Sequence, residues 1–166
     1  MAALAQYLAH LFAPWVNLYS NSLTVETVVV FLHVGGLVVA GGLAWMLDRA
    51  VLRSARDPSH PARAELAREL GGSHGTVLVG LGVVVLSGVA LTAADPKTFL
   101  VSWIFWTKMA LIVLLLFNGW LLKRAGAHVA TEPEAELSFR RLHRAAIRST
   151  GLWALTILAG VALSQS

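Results

Sequence analysis

The chain has 166 residues, 57% of them hydrophobic and only 13% charged, with a net charge of +4 and no cysteine. A soluble domain carries about 25% charged residues, so the composition excludes an ordinary soluble globule and indicates one integral membrane unit. The missing cysteine excludes disulfides, thiolate metal sites and iron–sulfur clusters. The basic residues gather at helix ends, which leaves nucleic-acid binding without support.

The first twenty residues lack a basic leader, and Gln6, His10, Pro14 and Asn17 interrupt their apolar run, unlike a signal peptide. Leu4, Leu8, Leu11, Phe12 and Trp15 predict a short helix lying in the membrane interface. The alternative is an ordinary N-terminal arm.

The first span covers about 25–52. His33 lies roughly 12 Å in from its outer end. Behind it Gly36, Ala40 and Ala44 form a ladder of small residues at four-residue spacing, over which a second helix or a flat ligand can come close. The first connection carries Arg49, Arg53, Arg56, Arg63 and Arg68. Asp57-Pro58 and Pro61 end the first helix there. A polar helix over 62–70 then leads towards the second span, with a break expected at Gly71-Gly72.

The second span covers about 73–94 and opens with His74. Asp95, Pro96 and Lys97 form a short second connection. The third span covers about 98–122, with Lys108 roughly 15 Å in from its outer end. Trp103 and Trp106 suit an outer aromatic belt, and Trp120 an inner one. The third connection holds Lys123, Arg124, Arg140, Arg141 and Arg144, and Thr131-Glu132-Pro133-Glu134 reads as a turn or helix start. The fourth span covers about 142–164 and opens with His143. Each span reaches the roughly 20 residues that a hydrocarbon core of about 30 Å demands.

The expected architecture is all-α: a single transmembrane domain over 1–166, folded as an up-down four-helix bundle with a short N-terminal interfacial helix. The arginine-rich first and third connections belong in the cytoplasm. Both termini then lie on the outer, periplasmic side of a bacterial inner membrane.

Two constellations carry chemistry. Glu26, His33 and Lys108 fall on one column towards the outside, as a protonatable path or ligand site. Near the cytoplasmic end, His74 and His143 sit at matching depth, with Met46 close by. Two imidazoles from separate helices are the axial set of a b-type haem. Gly71, Gly72, Gly75 and Gly151 leave room for a macrocycle, and Arg140, Arg144 and Arg148 are spaced to pair with its propionates. Each feature has a plainer reading: interfacial histidines, a lysine that snorkels, arginines that set orientation, glycines that pack helices. His10, His60 and His128 read as loop or interface residues. No spacing suggests a nucleophilic triad.

The segment FLHVGGLVVAGGLAWMLDRAVLR resembles the opening helix of a group of small bacterial membrane proteins that includes the HemJ-type protoporphyrinogen oxidases and the CopD copper-resistance domain. WIFWTKMALIVLLLFNGWLLKR resembles their later helix with an aromatic residue followed by Lys. FRRLHRAAIRSTGLWALTILAGVAL is similar to their Arg-led last helix. The resemblance implies that His33 and Lys108 are a functional pair associated with haem b. Where HemJ proteins have an aromatic-Ala-Gly-Leu stretch, this helix has Val39-Ala40-Gly41-Gly42.

Three functions follow as alternatives. One is a haem-b-binding electron-transfer cytochrome, or haem-bearing subunit of a membrane redox complex, working with quinone and other redox subunits. Its metal ligands are His74 and His143, with His33 in a second site. Another is a HemJ-like oxidase using His33 and Lys108, so the sequence leaves open whether the chain is an enzyme. The third is a cofactor-free accessory subunit of a larger membrane complex. Copper passage has the least behind it, since clusters of Cys and Met are missing.

Overall fold

The computed structural model describes residues 2–54, 60–131 and 136–165; the side chains of 2–4, 60–65, 67–71, 74 and 130 fall outside the description. Among the described residues there is no strand. The order is α1 (Ala2–Leu11), α2 (Ala13–Asn21), α3 (Leu23–Ser54), α4 (His60–Ala94), α5 (Pro96–Val101), α6 (Trp103–Thr131) and α7 (Glu136–Ser164).

Local chemistry sets the boundaries. Ser22 has extended backbone between α2 and α3, and its hydroxyl accepts from the Val25 N–H at 3.4 Å, capping α3. Asp95 caps α5 by accepting from the Thr98 N–H at 3.2 Å, and Pro96 follows at the position where its missing N–H costs nothing. Ser102 is extended again and caps α6 through Phe105. The third crossing helix therefore starts at Trp103, later than the expected residue 98. α4 runs unbroken through Gly71-Gly72, where a break was expected. The turns expected at Asp57-Pro58 and at Glu132-Pro133-Glu134 lie outside the described residues.

α3, α4, α6 and α7 are each long and apolar enough to cross a bilayer. They form an all-α membrane bundle whose outside is apolar: Phe31, Leu86 and Val38 are 71%, 73% and 68% exposed. Such side chains are at home against lipid. This is a multi-pass membrane protein. α3 and α6 each pack against both α4 and α7, so α3 stands diagonally from α6, and α4 from α7. α1, α2 and α5 gather over the end that carries both chain termini, here the terminal end. The Trp15 indole N–H ties α2 to the Ala90 carbonyl at 2.9 Å.

Packing changes character along the axis. Through the apolar part, small residues bring helices together. A Cβ on Gly80 would stand 3.0 Å from the Ala40 Cβ, and one on Gly36 would stand 3.0 Å from Val84. The small ladder of the first span thus meets a helix, α4. Gly41 lies under the Trp153 ring of α7, beside Ala40 and Leu115. Lipid is as apolar as leucine, so close backbone approach does the holding there. At the opposite, arginine-rich end, Val51, Leu66, Val129, Phe139 and Leu142 form a core of large side chains. There α4 continues for about four turns before its candidate span begins at Gly75. Water-driven burial again selects large apolar groups. Trp120 stacks on Phe117 and lies under the Arg124 guanidinium, 5.5 Å from the ring centre, an interfacial anchor.

Candidate functional site

The close approach of α3 and α4 fixes an antiparallel register in which Gly36 meets Val84 and Ala40 meets Gly80. One turn towards the terminal end, that register brings His33 onto Ser87. The His33 ring is half-buried, with Nδ1 3.0 Å from Ser87 Oγ and 3.2 Å from the Val84 carbonyl. Ser87 donates its own proton to the Val83 carbonyl at 2.6 Å, so towards His33 its oxygen can only accept. A carbonyl only accepts as well. Nδ1 therefore carries the proton, and in the neutral ring Nε2 is left with a free lone pair. Gly88 makes room: a Cβ there would stand 3.3 Å from His33 Cε1.

Lys108 enters from the diagonal helix α6. Its Nζ lies where a Cβ on Gly160 of α7 would be 3.6 Å away. His33 and Lys108, from different helices, thus both lie in the terminal half of the bundle, each beside a glycine of a third or fourth helix. Glu26, the expected third member, is exposed two turns nearer the end of α3, where its charge acts on Tyr19.

The other residues singled out from the sequence are placed differently. His143 is half-buried at the arginine-rich end of α7. The His74 side chain lies outside the described residues. Their helices stand diagonally across the bundle and not side by side. Met46 is 68% exposed. The buried stripe of α7 runs through Leu142, Ala146, Ser149 and Trp153, and Arg144 and Arg148 are exposed on the other side of the helix. Arg140 is exposed too and pairs with Glu136 at 3.1 Å. His10 and His128 are exposed.

Sequence reasoning passed over five buried polar residues, Asp48, Ser87, Asn118, Ser149 and Thr156. Ser87 is 6% exposed and orients His33. Asp48 is 2% exposed, among Ser149 and Thr150 of α7. Asn118 is 4% exposed and donates to the Ala145 carbonyl at 2.9 Å. The available signal was each residue's presence inside an apolar stretch, where a polar group faces the bundle interior by default.

Among the described residues no group of three or more His, Asp or Glu side chains gathers as a metal-holding cluster. A porphyrin supplies four ligands of its own, so a haem iron asks the protein for one or two. No protein-family model, no characterised protein and no solved structure matches the chain.

Proposed function

We propose that this chain is a haem-b-binding membrane protein, an electron-transfer cytochrome or the haem-bearing subunit of a membrane redox complex, in which His33 would hold the iron. The observation that carries the reading is the state of the His33 ring. A histidine that ligates a metal through one nitrogen donates its other N–H to a carbonyl or similar acceptor, which fixes the tautomer and raises the basicity of the ligating atom. His33 has that arrangement, with Nδ1 held by Ser87 and Val84 and Nε2 unengaged. The donor set therefore fits the group.

Lys108 supplies a cation in the same half of the bundle, suited to a propionate. Gly88 and Gly160 keep bulk away from the two side chains. Bound haem supplies a one-electron couple, for exchange with a quinone or a neighbouring redox subunit. His74 and His143, the latter with Arg144 and Arg148 near it in sequence, would be the alternative residues to hold the haem.

The presence of His33 and Lys108 in one half of the bundle also favours a second reading, porphyrinogen oxidation of the HemJ type, because the resemblance of the first and third spans implies that pair. In either reading the protein sits in a bacterial inner membrane, with both termini on the outer side and the arginine-rich connections in the cytoplasm. Since the chain has no cysteine, single cysteines placed at Ser164 or Arg124 and labelled from one side test the orientation.

The function is tested by a reduced-minus-oxidised spectrum of the purified full chain. A sharp alpha band is expected. His33→Ala should abolish it, and His74→Ala and His143→Ala should leave it. Loss in the latter two with retention in His33→Ala would move the ligands to the arginine-rich end. Purified protein without haem, from cells supplied with it, would overturn the reading and favour a cofactor-free accessory subunit.

A further inference from the structure

The most unusual polar group outside the His33 region is Asp48. It sits about 9 Å along α3 from that helix's arginine-rich end, and only 2% of it is exposed. Its Oδ2 has no hydrogen-bond partner. Its neighbours are hydroxyls of α7, Ser149 and Thr150. No cation among the described residues pairs with it. Arg49 and Arg53 on its own helix are exposed, and on α7 Arg148 is exposed on the far side of the helix. On α4 the register places Gly72 opposite Asp48 and His74 opposite Met46. α6 packs against α7 rather than α3 and brings Asn118 to the neighbouring turn of α7.

The hydroxyl chemistry says which state this carboxyl takes. Thr150 Oγ1 donates its single proton to the Ala146 carbonyl at 3.1 Å. Towards Asp48 it therefore presents lone pairs. A carboxylate meeting those lone pairs would be repelled, whereas a carboxylic acid would donate to them. Ser149 makes no comparable bond to its own helix, so its proton is free to turn towards an Asp48 oxygen. One hydroxyl free to donate and one whose proton is already given to Ala146 suit a protonated carboxyl. An ionised carboxylate, by contrast, would be buried without a counter-charge among the described residues, and such a group neutralises instead of staying charged.

We propose that Asp48 is a proton-binding site in the arginine-rich half of the bundle, its carboxyl carrying an exchangeable proton in the folded protein at neutral pH. The proton occupies one carboxyl oxygen as an O–H directed to Thr150 and comes from the water at that end. Ala40, Leu115 and Trp153 form an apolar layer between this site and His33, so the site stands by itself and does not rest on the haem reading.

The test is infrared spectroscopy of the full chain in lipid, in H2O and D2O. A protonated carboxylic C=O band is expected at neutral pH, with a D2O shift, and it should vanish in Asp48→Asn. Thr150→Val should move that band to higher frequency, because the O–H loses its acceptor. If Asp48→Asn does not fold, the wild-type band and its Thr150→Val shift decide the matter. Only ionised-carboxylate absorption from the wild-type chain at neutral pH would overturn the proposal. So would an acid band abolished by sodium chloride but not by choline chloride, which would make the site one for a metal cation.

Discussion

His33 of α3 donates through Nδ1 to Ser87 of α4, 3.0 Å away, and Ser87 is able to accept because its own proton goes to Val83. The ring's orientation and tautomer therefore depend on a serine 54 residues away in sequence. In the proposed haem reading, removing the hydroxyl should loosen the bound haem without removing His33. Supporting residues of this kind typically carry 10–100-fold in metal affinity. Ser87→Ala should weaken haem retention by about that factor, measured by transfer to apomyoglobin. Ser87→Thr should retain most of it. Retention unaffected by Ser87→Ala would mean that the bond to Val84 suffices or that His33 is no ligand.

The α3–α4 contact should tolerate no added side chain at its tightest points. Gly36→Val and Gly80→Val each place atoms within about 3 Å of the facing helix. Overpacking of this kind costs about 1–3 kcal/mol. Unfolding in detergent, followed by circular dichroism, should show lower midpoints for both. Gly42→Val, which meets nothing within 4 Å, should leave the midpoint in place. Equal behaviour of the three variants would contradict the register.

Asn118 offers a contrast between bond and burial. Its amide donates to Ala145, yet its Oδ1 is buried without a partner. The Ala145 carbonyl keeps its helical bond from Ser149 when the amide is removed. Interhelical hydrogen bonds in membranes average about 0.6 kcal/mol. Asn118→Leu, of similar size, should therefore match or exceed the wild-type stability. Asn118→Ala should fall below both, since it also leaves a void. A large loss in Asn118→Leu would show that Oδ1 does have an essential partner.

Tyr19 links the N-terminal helices to pH. Burial first, and then the nearby Glu26 carboxylate, hold its phenol above the ordinary value of about 10. A phenol raised on folding is kept neutral by the folded state. Its contribution to stability is fully present below the unfolded value and is lost as pH rises through the folded one. Docking of α2 should thus weaken only in strongly alkaline solution. Ultraviolet titration of tyrosinate should show Glu26→Gln lowering the Tyr19 midpoint. An upward movement would place Glu26 elsewhere.

The crossing helices were legible because length and apolarity are properties of a segment by itself. Twenty residues without charge need no neighbour to be recognised, and the bundle follows from their connections. His33 and Lys108 were legible as candidates for the same reason: an ionisable group in an apolar run stands out, and counting along the helix gives its depth. Asp48 and Ser87 went unread. Asp48 lies beside Arg49 near a helix end, where an exposed acid is expected, and a lone serine is unremarkable in a membrane helix. The separation of α5 from α6 was missed because Ser102 carries no strong turn signal.

What the sequence determined by itself is distance along each helix: where the chain crosses, which end is arginine-rich, and that His33 lies inside. Rotation about the helix axis was settled only in the folded bundle. α3, α4 and α6 are apolar nearly all round, so no polar stripe marks which side turns inward. Inter-helix packing decided that, through Gly36, Ala40 and Gly80. It thereby set the diagonal of α4 and α7, the outward face of Arg144 and Arg148, the donor role of His33 Nδ1 and the burial of Asp48. A one-dimensional pattern encodes depth, but azimuth emerges only when close-packed backbones select a register.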